Sequence, residues 1–179
     1  MSESKRFKRD LTLFEQLPNE LFIEIFAYLN GVDTTYAFSN LNTRFQALLN
    51  KYVTNFDFKS ISKVKCDYVI KHHNIHQWKS LRLSNDDQTP GQITYFSQTY
   101  PPYEYLSQLK TLSILNMTSR DAHGFLSQLT SFDHLVSLEI GTICGETIQS
   151  LELPLLKKLV VTGCKHTDWI KVSDRLDSI

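Results

Sequence analysis

Between Leu17 and Leu29 the chain reads LPNELFIEIFAYL, with apolar residues at helical spacing. At 100° per residue, Leu17, Tyr28, Leu21, Ile25, Leu29, Phe22 and Phe26 cover about half of a helix. Ile23 and Ala27 widen the arc, and mainly Glu20 and Glu24 remain as a polar strip. One small core uses a narrower stripe, so the pattern predicts apolar surface left over for a second protein. Pro18 suits the first helical turn, where its missing N–H costs nothing. Asn30-Gly31 marks the end of this helix, with glycine supplying a left-handed terminus. Asp33 reads as the cap of a short second helix through Ser39. Asn42 reads as the cap of a third, with Phe45, Leu48, Leu49 and Tyr52 at i, i+3, i+4 and i+7. Three helices within residues 18–50 fall below the roughly 40 residues at which a chain usually folds alone. The unit needs a partner, or packing against residues later in the chain.

A different pattern repeats after residue 52. Five segments share the phase apolar-x-x-apolar-x-apolar: Val53-x-x-Phe56-x-Phe58, Trp78-x-x-Leu81-x-Leu83, Leu109-x-x-Leu112-x-Ile114, Leu135-x-x-Leu138-x-Ile140 and Leu156-x-x-Leu159-x-Val161. Their middle residues are spaced by 25, 31, 26 and 21 positions. Each segment alternates as a strand does, and stacked side by side they predict a parallel sheet. Parallel neighbours need return paths, and the linkers read as helical. Cys66, Val69, Ile70 and His73 have helical spacing. Thr89-Pro90 opens a helix carrying Ile93, Phe96 and Tyr100, with Pro101-Pro102 as its stop. Ala122, Phe125, Leu126 and Leu129 give another helical face, whereas Gly145 to Pro154 is too short for more than a turn or two. Trp169, Val172, Leu176 and Ile179, behind Thr167-Asp168, fit either a helix covering the open end of the sheet or the helix of an unfinished repeat.

Leu17-Pro18, Glu20-Leu21, Ile25-Phe26 and Leu29, followed by Leu41-Asn42-x-Arg44-Phe45 and Leu48, resemble an F-box over residues 13–52. Phe45 stands where many relatives carry tryptophan, and Thr34 to Ser39 match loosely. Residues 53–179 resemble the leucine-rich repeats that commonly follow an F-box. Repeats of about 20–29 residues accommodate every spacing but one. The repeat consensus expects asparagine or cysteine at the positions of Ile61, Asp86, Met117, Ile143 and Cys164; only Cys164 matches, so the repeats should be irregular. The expected fold is α/β: a disordered basic tail (1–12), a three-helix F-box (13–52), and an irregular solenoid of about five short parallel strands (53–179). Whether its last repeat is complete is left open.

The resemblance implies a non-enzymatic substrate receptor of a ubiquitin ligase. Leu17, Pro18, Leu21, Ile25, Leu29 and Leu41 would bind a Skp-family adaptor, and through it a cullin. The strand residues that alternate with the buried ones would face a target protein. From these, Asp57, Arg82, Ser84, Ser113, Leu115, Glu139, Lys158 and Val160 are the candidates. The strand face as a whole is mostly small and uncharged with scattered charges of both signs, which suits a protein better than a nucleic acid. The alternative is a leucine-rich-repeat scaffold with no ubiquitin role.

Charge and composition narrow the field further. Nineteen basic and 19 acidic residues cancel, which argues against a generic electrostatic grip on nucleic acid. The one basic cluster, Lys5-Arg6-Phe7-Lys8-Arg9, reads as a solvated tail. No apolar run is long enough to cross a bilayer, and no signal-peptide pattern precedes the first helix. Cys66, Cys144 and Cys164 are odd in number and lack framework spacing, so the expected setting is reduced: cytoplasm, nucleus or both. Asn116-Met-Thr118 forms a glycosylation sequon that such a chain would not use. His72-His73-x-x-His76 is flanked by Lys71 and Lys79 and reads as a helix end rather than a metal site, and Cys164-x-His166 is too sparse for one. Asp86 and Asp87 read as caps. Tyr95, Tyr100, Tyr103 and Tyr105 read as a folded loop over the helix ends. There is no phosphate-binding glycine loop and no Gly-x-Ser-x-Gly nucleophile motif. No cofactor is expected.

Overall fold

The computed structural model describes residues 14–118, 125, 128–129, 132–141 and 153–162. The basic tail, Ala122, Leu126, Cys144, most of the fourth linker, Cys164 and the segment Lys165–Ile179 lie outside them.

Three helices lead into the sheet among the described residues: α1 (Asn19–Tyr28), α2 (Gly31–Phe38) and α3 (Thr43–Tyr52). Their shared core is aromatic. Phe22 and Phe26 of α1 and Phe45 of α3 are buried. Phe22 meets Phe45 edge-to-face at 4.6 Å between centroids, and Phe26 meets Phe38 at 5.1 Å. Such pairs add ~0.5–1.5 kcal/mol each beyond the area they bury, a useful supplement for so small a unit.

The helix ends differ from the expectation in three places. Pro18 caps α1 from outside, in an extended conformation, rather than sitting in its first turn. Asn30, not Asp33, caps α2: its Oδ1 accepts the Val32 N–H at 3.2 Å. Asp33 lies three residues past the cap position, in the first helical turn, and its carboxylate pairs with Lys65 Nζ at 2.6 Å. Gly31 is not left-handed either. It opens α2 and is buried against the first strand, where a Cβ would sit 2.3 Å from the Asn55 carbonyl oxygen. Close approach, not a positive φ, demands glycine here. Asn42 caps α3 as expected, its Oδ1 accepting the Phe45 N–H at 3.1 Å.

The described residues then supply five strands: β1 (Asn55–Asp57), β2 (Ser80–Ser84), β3 (Thr111–Leu115), β4 (Ser137–Gly141) and β5 (Lys158–Thr162). They form one parallel sheet in sequential order. The repeat phase is its register: Phe56, Leu81, Leu112, Leu138 and Leu159 stand side by side across the whole sheet. A one-residue slip would turn every apolar side chain to the other face, which is why the pattern carried the register. The return path from β1 to β2 contains α4 (Lys63–His72) and a 3₁₀ turn at Ile75–Gln77. Between β2 and β3 lie α5 (Gln92–Thr99) and α6 (Pro102–Tyr105). α5 stops at Thr99, just before Pro101-Pro102 as expected, and Pro102 then opens the next helical turn, since proline fits a first helical position. Gly91 precedes α5 with φ +75°, a conformation that favours glycine. Phe125 and Leu129 are helical and buried, as their spacing predicts. The molecule is therefore α/β.

Two buried polar groups organise the interior. Gln92 reaches in from α5, accepting the Ser84 N–H at 2.9 Å and donating to the Phe58 and Ile61 carbonyls at 2.8 and 3.2 Å. Turn backbone after β1 and the end of β2 is thus satisfied by one helix side chain. His73 joins the helical unit to the sheet. Its Nδ1 accepts the Trp78 indole N–H at 3.1 Å, which leaves Nε2 to donate to the Leu49 carbonyl of α3 at 3.1 Å. Burial pushes the His73 pKa down, against the backbone hydrogen bonds at Leu49, Asn74 and Val53. Trp78 itself is fully buried and stacks on Phe56 at 4.2 Å.

Candidate functional site

Two surfaces stand out. The first is an apolar ridge on α1. Phe22 and Phe26 point inward, and much of the remaining arc is left over, as the sequence pattern predicts. Leu21 is 42% exposed and Tyr28 90% exposed; Leu41, in the turn before α3, is 48% exposed. Leu29 and Pro18 are exposed as well, while Leu17 and Ile25 are half-buried and pack against the core. The ridge therefore centres on Leu21, Tyr28, Leu29 and Leu41, with Ile25 serving both sides. Tyr28 belongs to the predicted arc but not to the expected contact residues.

Arg44 of α3 fixes the start of α1. Its guanidinium donates to the Glu15 carbonyl at 2.6 Å, to Asn19 Oδ1 at 2.7 Å and to the Leu17 carbonyl, and it lies over the Phe22 ring. A planar fork with five donors can hold three acceptors at once; a lysine could not hold that geometry. Arg44 was visible in the sequence only as part of a motif, because its partners are mainly backbone atoms.

The second surface is a cleft of about 570 Å³ along the polar face of the sheet. Two rows of side chains cross it. Asn55, Ser80, Thr111, Ser137 and Lys158 form one; Asp57, Arg82, Ser113, Glu139 and Val160 form the other. The second row is linked. Arg82 Nη1 donates to Asp57 Oδ2 at 3.1 Å, Arg82 Nε to Ser113 Oγ at 3.3 Å, and Ser113 Oγ to Glu139 Oε2 at 2.6 Å. Arg82 Nη2 also lies 3.7 Å from Glu139 Oε2. At one edge the cleft is closed by Leu29 and Asn30. The Asn30 side chain clasps the β1 backbone, donating to the Asp57 carbonyl at 2.7 Å and accepting the Asp57 N–H at 3.1 Å. The end of the α1 ridge is therefore contiguous with the cleft, a juxtaposition that no local pattern announces.

Six of the eight predicted face residues meet in this cleft, and Ser84 and Leu115 do not. Ser84 is 0% exposed, its N–H bonded to Gln92 and its Oγ accepting from Asn116 Nδ2 at 3.2 Å. It is committed to the turn after β2, where alternation stops predicting exposure. Leu115 is half-buried and stands where a Cβ on Gly141 would meet its Cδ2 at 3.1 Å. Ser113, though in the cleft, is nearly buried between Arg82 and Glu139 and acts as a link.

The remaining candidates have other duties. His72 stacks on Tyr68 and His76 on Tyr105, while His73 is occupied in the core. Among the described residues no three His, Cys, Asp or Glu side chains gather where they could hold a metal ion. Asp86 caps turns as expected: Thr89 above all, with Ser60 and Gln88, donates to it and holds its carboxyl below the usual range. Cys66 is buried, and burial, reinforced by Asp67, pushes its thiol up to about 12, so it is not a nucleophile in the folded state. No described helix is long and apolar enough to cross a membrane. A scan against protein-family models, and searches of curated proteins and of solved structures, found no match to this chain.

Proposed function

We propose that this chain is a substrate receptor of a Skp–cullin–F-box ubiquitin ligase, working in the cytoplasm, the nucleus or both. The ridge of Leu21, Tyr28, Leu29 and Leu41 binds the Skp-family adaptor, and the sheet cleft binds a target protein. The repeats act as an irregular leucine-rich solenoid that presents the cleft. The chain performs no chemistry; it raises the effective concentration of target near the transfer machinery. The single observation that supports this reading is the exposed ridge on a helical unit already anchored to β1 through Asn30 and to the following α4 segment through Asp33 and His73. Four large apolar side chains facing solvent, three at α1 and its end and Leu41 in the turn before α3, mark an interaction surface more often than an idle one.

Packing of α2 on β1 and α4 also suits a second reading, a repeat scaffold with no ubiquitin role, in which the same ridge meets another partner. Co-expression with a Skp-family adaptor separates the two. The first reading expects a stoichiometric complex that includes a cullin when drawn from a eukaryotic lysate. A monodisperse chain that ignores the adaptor overturns it.

A further inference from the structure

The cleft's charges restrict what it takes, if it is the target site of the proposed receptor. Arg82 is held between Asp57 and Glu139, so the central row carries two carboxylates for one guanidinium. Each carboxylate retains acceptor capacity. Glu139 uses Oε2 for Ser113 and Arg82, and its Oε1 makes no hydrogen bond among the described residues. A carboxylate can accept about four hydrogen bonds. The remaining lining cation, Lys158, sits at the exposed rim on the last strand. Asn55, Ser80, Thr111 and Ser137 run alongside and supply neutral donors and acceptors. Five strands ~4.8 Å apart make the face roughly 19 Å across, the length of about six extended residues at ~3.3 Å each.

We infer that the cleft binds an extended, unphosphorylated peptide segment carrying a basic side chain, which pairs with Glu139 while its backbone bonds to the hydroxyl row. A phosphate at the centre would meet two carboxylates before it met a free cation. Arg82, the cation at the centre, already pairs with Asp57 and lies beside Glu139, so its charge is largely offset there. Phosphorylation of a segment bound here is therefore expected to weaken its binding.

A random twelve-residue peptide display, selected on the immobilised full chain, tests this. The expected outcome is enrichment of lysine or arginine within short polar segments. The best peptide, synthesised and titrated by fluorescence anisotropy, should bind Glu139→Gln roughly two- to fivefold more weakly, the range of one solvent-exposed ion pair. It should bind Leu21→Asp unchanged and weaken as salt is raised. Its phosphoserine version should bind no tighter than the parent. Enrichment of acidic residues, binding indifferent to Glu139→Gln, tighter binding of the phosphopeptide, or no enriched sequence would each overturn the inference. Binding lost in Leu21→Asp would assign the peptide to the ridge and overturn it too. Adaptor co-purification, measured on the same preparations, separates this result from the ligase reading, because either can fail while the other stands.

Discussion

Replacing Gly31 with alanine sets two effects of opposite sign against each other. In a helix, alanine is favoured over glycine by up to ~1 kcal/mol, and rather less at the first helical position. At Gly31, however, the new Cβ would lie 2.3 Å from the Asn55 carbonyl oxygen, 3.0 Å from Val53 Cγ1 and 3.1 Å from Phe56 Cδ1. The nearest of these atoms is backbone and belongs to the first strand of the sheet. It cannot rotate away, so α2 must lift off β1. Overpacking of this kind costs ~1–3 kcal/mol, and a contact this short belongs at the upper end. The clash therefore wins, with a net loss of about 2 kcal/mol. For a chain of this size each kcal/mol moves Tm by about 2–4 °C, so a fall of roughly 4–8 °C is expected in a thermal melt followed by circular dichroism. Ala27→Gly, at an exposed position of α1, supplies the control for propensity alone and should cost about 1 kcal/mol. A Gly31→Ala protein that melts at or above the parent temperature would refute the packing of α2 on β1.

Two further outcomes rest on the buried polar groups. Gln92→Leu would leave the Ser84 N–H and the Phe58 and Ile61 carbonyls short of a partner, at ~1–3 kcal/mol for each group left truly unsatisfied; urea unfolding should show a midpoint clearly below that of an exposed control such as Gln98→Leu, and equal midpoints would contradict the assigned role. His73 is neutral in the folded chain because burial lowers its pKa, so below about pH 6.5 the unfolded chain binds the extra proton. Its stabilising contribution is complete above that ordinary value and is lost as pH falls towards the lowered one; Tm measured from pH 7.5 down to 5 should fall more steeply in the parent than in His73→Gln, and parallel slopes would contradict it.

The features legible in the sequence were those that depend on periodicity. The alignment of Phe56, Leu81, Leu112, Leu138 and Leu159 reflects a buried face that tolerates no slip. The division of α1 into buried phenylalanines and exposed Leu21 and Tyr28 reflects an apolar arc wider than its core. Single-residue roles were harder. Asn30 and Asp33 are equally good capping types three residues apart, and only the strand beside Asn30 selects between them. Gly31 invited a left-handed reading because the strand that crowds it is distant in sequence. Ser84 lost its expected exposure to Gln92 and Asn116, and the linkage of Arg82 to Asp57 and Glu139 rests on cross-strand register. The junction of ridge and cleft at Leu29 is a tertiary fact with no local signature.

The central claim, that the ridge is an adaptor-binding surface, is tested most directly by titrating purified Skp-family adaptor against the chain by calorimetry. Leu21→Asp with Leu41→Asp is the informative variant: both side chains are exposed, whereas Ile25 packs partly into the core and its loss would confuse folding with binding. Two apolar anchors at ~2 kcal/mol or more each correspond to a loss of roughly a thousandfold or greater, with the circular dichroism spectrum and Tm preserved. Arg82→Ala, across the cleft, should leave adaptor affinity unchanged. Equal affinity in the double variant and the parent, or no adaptor binding by the parent at all, would contradict the account.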